Sequence, residues 1–172
     1  MERQEDREIW LRIRMKRNAI LDTGPIVALI DAADRDHLWS VQQWSDIEPP
    51  MLTCESVISE ACFLLNQIDS GTEAVFEMLS RKAVEASFRL GDHFKLVRSL
   101  LRKYSDLPMS VADTCLVRMA EQVPSSSVFT FGCGFHVRVE PDHLLRIAAQ
   151  RRYNTSHGRK PVDCGFQGFP AP

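Results

Sequence analysis

Four short apolar runs, at 19–21, 51–52, 86–90 and 128–131, alternate along the chain with longer segments whose apolar residues recur at helical spacing. Strands separated by helices are the pattern of a parallel sheet, because a parallel neighbour is reached only by a crossover and the crossover is usually a helix. The spacing predicts helices over 25–33, 37–46, 55–68, 72–83, 92–104 and 110–121. Punctuation between elements comes from Pro49-Pro50, Ser70-Gly71, Gly91-Asp92, Leu107-Pro108 and Pro124-Ser125. The fold class expected is therefore α/β, and no internal repeat interrupts it.

A chain of 172 residues suits one domain. The first fifteen residues, MERQEDREIWLRIRM, are too charged for a signal peptide. They read as an N-terminal extension over 1–15: a disordered arm, a small partner helix or a start-site artefact. The main α/β domain is expected over 16–135. A divergent tail over 136–172 keeps one short apolar helical piece, 144–149, before a basic Gly/Pro-containing end. Five cysteines form no C-x-x-C pair and no zinc-spaced cluster, so they are expected to be reduced thiols. With no run of about 18 apolar residues to span a bilayer, the expected location is the cytoplasm, away from membranes. A formal charge of -2 gives no global attraction to nucleic acid, so any such binding must rest on local patches or bound cations.

Three carboxylates stand where solvated ones would not be expected. Asp22 ends the first apolar run, just before a helix with Pro25 in its first turn, and ligands of open α/β sheets bind beyond the carboxyl ends of strands. Its plainer role is the helix N-cap. Glu60 falls on the stripe formed by Val57, Ile58, Ala61, Leu64, Leu65 and Ile68, where an unpaired charge would cost several kcal/mol, of order ~3. Its plainer role is a glutamate at the stripe's edge whose stem reaches water. Asp113 shares a helical face with Met109, Leu116 and Ala120, and Ser110-x-x-Asp113 also fits a capping box. Three acids gathered from separate elements would repel one another without a cation. Oxygen donors suit Mg²⁺ or Mn²⁺, and such an ion can activate water and neutralise charge in phosphodiester hydrolysis.

The blocks ILDTGPIVALID, LTCESVISEACFLL, KYSDLPMSVADTCLVRMAE and VFTFGCGF, in that order, resemble a PIN-domain endoribonuclease, and closely the VapC-type toxins of bacterial toxin–antitoxin pairs. The resemblance implies a layered α/β/α fold on a mostly parallel sheet of about four to five strands. It implies a Mg²⁺- or Mn²⁺-dependent endoribonuclease acting on single-stranded or structured RNA, usually a homodimer, silenced by a cognate antitoxin. Matched position by position, Asp22, Glu60 and Asp113 are the metal-holding, catalytic acids, with Thr23 and Thr130 as supporting hydroxyls. The departure is Gly132, which stands where a fourth acid is expected. The alternative is accordingly a PIN-fold RNA- or antitoxin-binding protein with weakened or lost catalysis.

Several other residues have two readings. Asp31, Asp34 and His37 could edge the groove, although a turn capping the next helix accounts for them. Trp39 and Trp44 could stack on bases, although core packing is the plainer role. Lys95, Arg98, Arg102 and Lys103 give the 92–104 helix a basic face, expected opposite Phe94, Val97, Leu100 and Leu101. Competing chemistries fail on sequence grounds. Asp22-Thr23-Gly24 matches an aspartyl-protease signature, but that enzyme is all-β and would leave Glu60 and Asp113 unused. A nucleotide-binding module lacks its glycine-rich loop. An aspartyl phosphatase would want a second Asp where Gly24 stands.

Overall fold

A computed structural model describes residues 18–45, 47–106, 109–124 and 126–131. Within them the chain runs β1 (Ala19–Leu21), α1 (Thr23–Ile30), α2 (His37–Ser45), β2 (Met51–Cys54), α3 (Glu55–Leu64), α4 (Gly71–Ser80), β3 (Val84–Phe88), α5 (Leu90–Lys103), α6 (Val111–Gln122) and β4 (Ser127–Phe129). The four strands form one sheet in the order β3-β2-β1-β4. Every pairing is parallel, with Ile20 opposite Leu52 on one side of β1 and opposite Val128 on the other. This is the α/β architecture expected from the alternating pattern, with helices flanking a parallel sheet. The N-terminal extension, the tail beyond 136 and Gly132 lie outside the described residues.

The sheet order explains why β1 is wholly apolar. Flanked on both sides and covered on both faces, a central parallel strand has no wet face, and all three residues of β1 are buried. Ile20, Leu21, Ile26, Met51, Val57, Leu65, Val117, Met119 and Phe129 are among the fully buried side chains of a single core. Thr53 is the polar exception in β2. Its hydroxyl is fully buried and donates to the carbonyl of Leu21 at 2.9 Å, so no unpaired donor remains and β2 is fastened to the last residue of β1.

One helix end and one helix face differ from the sequence reading for local reasons. The helix expected over 55–68 stops at Leu64, since the chain turns through Ser70 at φ 56 into Gly71, whose Cα closely abuts the Leu65 carbonyl. A Cβ at position 71 would lie 2.6 Å from that oxygen, so only glycine fits there. The core seam of α3 is Val57, Ala61 and Leu65, spaced four apart. Leu64 faces outward at 51% exposure, although the apolar pattern grouped it with the core. The basic helix also differs. Among α5 residues Val97 is the buried one, and Phe94 is 53% exposed instead of facing the core.

Candidate active site at the sheet's switch point

The connections after β1 build the sheet toward β2 and β3, whereas β4 returns to the opposite side of β1. Strand order therefore reverses between β1 and β4, and a crevice opens beyond their carboxyl ends at such a reversal. Asp22 follows β1 and Thr130 follows β4, so the topology alone brings them to that point. The Asp22 amide donates to the Phe129 carbonyl at 3.0 Å. The Thr130 hydroxyl donates to Asp22 Oδ2 at 2.6 Å.

Asp22 is also the N-cap of α1, its Oδ1 accepting from the Thr23 amide at 2.7 Å. Both carboxylate oxygens thus have fixed donors, which sets the side chain's orientation before any ligand arrives. The capping role and a site role coexist in one residue. Thr23 then extends the chain of contacts, since its nearly buried hydroxyl donates to Glu60 Oε2 at 3.1 Å. Glu60 sits half-buried one step off the Val57–Ala61–Leu65 seam, at the edge of the apolar stripe and against the site. Thr130, Asp22, Thr23 and Glu60 consequently form one connected polar group drawn from β4, β1, α1 and α3.

Asp113 belongs to a separate hydrogen-bonded set. Its Oδ2 accepts from the Ser110 amide at 2.7 Å and the Ser110 hydroxyl at 2.8 Å, while the Asp113 amide donates back to Ser110 Oγ at 3.1 Å. This is the capping box read from the sequence, and it holds a 9%-exposed carboxylate in the first turn of α6. The helix itself packs on β1, β2 and α3, the elements that carry or adjoin Asp22 and Glu60. Among the described residues no group of three or more His, Cys, Asp and Glu side chains is gathered as a complete metal-ligand set. In kind, however, the donors at hand are carboxylate and hydroxyl oxygens, the ligand class that hard divalent cations take.

The sequence did not single out the Ser110 hydroxyl as a partner of the Asp113 carboxylate, or Thr53 as the tie between β2 and β1. Ser110 was legible as a cap, but its hydroxyl's contact with the carboxylate oxygen needed coordinates. Thr53 carries no sequence signal at all, because a β-branched residue in a strand looks ordinary.

The remaining candidates take their plainer roles. The Asp31 and Asp34 side chains accept from the amides of Ala33 and Asp36, shaping the turn before α2. His37 Nδ1 donates to the Ala28 carbonyl at 2.8 Å, which ties that turn to α1. Trp39 packs at 5.6 Å from the Phe129 ring and 5.3 Å from the Phe131 ring, and Trp44 is packed against the core. The thiols of Cys54 and Cys115 are both buried and free of disulfides. Their mutual hydrogen bond, reinforced by burial, pushes the Cys54 thiol up.

No protein-family model and no curated protein matches the sequence. Comparison of folds does find a match. The chain resembles the VapC20 toxin of Mycobacterium tuberculosis, whose crystal structure is described as that of a sarcin-ricin loop cleaving toxin, with a TM-score of 0.52. The fold is the PIN-like α/β fold of that toxin. The match covers 71% of this chain and 98% of the toxin at 20% identity, a level at which shared topology is established and shared chemistry is not. Within this PIN fold, Asp22 and Thr130 occupy the switch point and Glu60 joins them through Thr23. No helix among the described residues is long and apolar enough to cross a membrane.

Proposed function

We propose that the protein is a metal-dependent endoribonuclease that hydrolyses phosphodiester bonds of RNA, acting as the toxin of a toxin–antitoxin pair, and that Asp22, Glu60 and Asp113 hold its Mg²⁺ or Mn²⁺. The observation that carries this reading is the Thr130–Asp22–Thr23–Glu60 hydrogen-bond chain at the switch point of a PIN fold. Carboxylates drawn from different elements are expensive to bring together, and here Thr23 links two of them, its amide donating to Asp22 and its hydroxyl to Glu60, at the place where such folds bind ligands. A divalent ion there would lower the pKa of water and neutralise charge on the leaving oxygen.

The chain's own groups do the positioning. Thr130 and the Thr23 amide fix Asp22, the Thr23 hydroxyl fixes Glu60, and the Ser110 cap fixes Asp113. Preset carboxylates lose little freedom when they take up a cation, which is how surrounding hydrogen bonds raise the affinity of a site. Thr130→Val keeps the β-branched shape and removes the donor. It is expected to lower cleavage by about 10- to 100-fold while the thermal midpoint stays close to that of the parent, measured by RNA cleavage and thermal melting on the same preparation.

The test of the function is direct. Purified protein should cleave single-stranded RNA with Mg²⁺ or Mn²⁺, stop on addition of EDTA, and recover when metal is restored. If no divalent ion supports cleavage, the nuclease reading fails, and the PIN-fold binder with lost catalysis takes its place. For that binder the specific feature is Gly132, at the position where the resemblance expects a fourth acid. A cognate antitoxin and a homodimer belong to the same proposal; the first would be seen as a co-purifying small protein that inhibits cleavage.

A further inference from the structure

Helix α5 places Gly91, Phe94, Lys95, Arg98 and Arg102 at positions i, i+3, i+4, i+7 and i+11, the spacing of a single helical stripe. All five are exposed, with Phe94 at 53%. Among the described residues Lys95, Arg98 and Arg102 make no ion pair. The helix's acid, Asp92, lies off the stripe with Arg89 3.9 Å away.

Cations three and four residues apart repel, and among the described residues no carboxylate pairs with these three. An aromatic ring left in water beside them adds a second cost. A protein with a formal charge of -2 thus carries a strip of three positive charges, an exposed ring and, at Gly91, backbone where an added Cβ would meet nothing within 4 Å. Single-stranded nucleic acids offer the matching chemistry, phosphates for the cations and a base face for the ring.

The geometry points to the Gly91–Arg102 stripe of α5 as a docking surface for single-stranded RNA, separate from the acids of the candidate active site; it rests on the ribonuclease reading only for the choice of RNA. From Lys95 to Arg102 the helix rises about 10 Å, enough to meet about three phosphates of a stacked strand. Arg98 and Lys95 take phosphate charge, and Phe94 supplies the stacking face. Sequence preference would be slight, because phosphates and ring faces are common to all bases.

The test is anisotropy of a short fluorescein-labelled polyuridine strand, with full-length protein in EDTA so that binding is read without cleavage. Lys95→Gln, Arg98→Gln and Arg102→Gln combined should weaken binding by at least about tenfold and reduce the slope of log K against log salt by about 2, whereas Arg98→Gln alone should reduce it by about 0.7. Phe94→Ala should weaken binding by roughly 5- to 100-fold, the worth of one stacked base. Arg35→Gln, an exposed arginine in the turn before α2, serves as the control and should change neither quantity. Unchanged affinity and slope in the combined variant, with its far-ultraviolet spectrum intact, overturn the proposal. So does displacement of the RNA from the parent protein by polyglutamate at matched charge with no effect of Phe94→Ala, since that would mark a site for an acidic protein partner. Loss of cleavage with binding retained would count against the nuclease reading and leave this surface standing.

Discussion

Asp22→Asn is expected to lower metal-dependent RNA cleavage by more than roughly 100-fold, because even loss of an outer partner of a metal ligand costs about 10- to 100-fold. The substitution preserves size and the N-cap. Asparagine caps helices as well as aspartate does, and its side-chain oxygen can still accept from the Thr23 amide. What changes is the charge offered to a cation and the acceptor that receives the Thr130 hydroxyl at 2.6 Å. Stability should therefore shift little while activity collapses, and a melting curve beside the cleavage assay separates the two. Unimpaired cleavage by Asp22→Asn would remove Asp22 from the site. Equal loss of activity and of folded protein would reduce its role to that of a cap.

The largest expected effect on stability lies at Phe129. Its side chain is the bulkiest of the fully buried set, it packs against Trp39, and its backbone carbonyl receives the Asp22 amide. Phe129→Ala should cost about 3–5 kcal/mol through lost transfer energy and a cavity that the sheet cannot collapse. That is a large part of the roughly 5–15 kcal/mol available to a domain. Denaturant unfolding should show the midpoint fall sharply with the slope unchanged. A loss below about 1 kcal/mol, the level of ordinary surface changes, would mean that β4 is not packed as described.

These two residues also show what the sequence could and could not convey. The apolar runs that became β1 and β4 were legible because parallel strands buried on both faces are apolar throughout, and the four strands and six helices among the described residues fall near their expected places. Their ends were harder to read. The helix containing Glu60 stops at Leu64 because Gly71 packs against the Leu65 carbonyl, a contact between turns that periodicity does not encode. Phe94 and Leu64 were grouped with the core by their chemistry, yet a helix turning 100° per residue carries each just past the seam. Within the candidate site, the strand-end position of Asp22 and the cap at Asp113 were visible as local patterns. The Thr23–Glu60 and Thr130–Asp22 bonds were not, since they join residues 37 and 108 positions apart. Their matching to family positions rested on resemblance, and only the sheet order gives them a physical reason to meet.

The central claim is that Asp22, Glu60 and Asp113 serve one cation, and Mn²⁺ titration followed by electron paramagnetic resonance tests it without depending on substrate or turnover. The account predicts saturable binding of Mn²⁺ to the parent protein, displaced by Mg²⁺, and a marked loss of affinity in each of Asp22→Asn, Glu60→Gln and Asp113→Asn with the fold intact. Equal Mn²⁺ affinity in the parent and all three variants would contradict it.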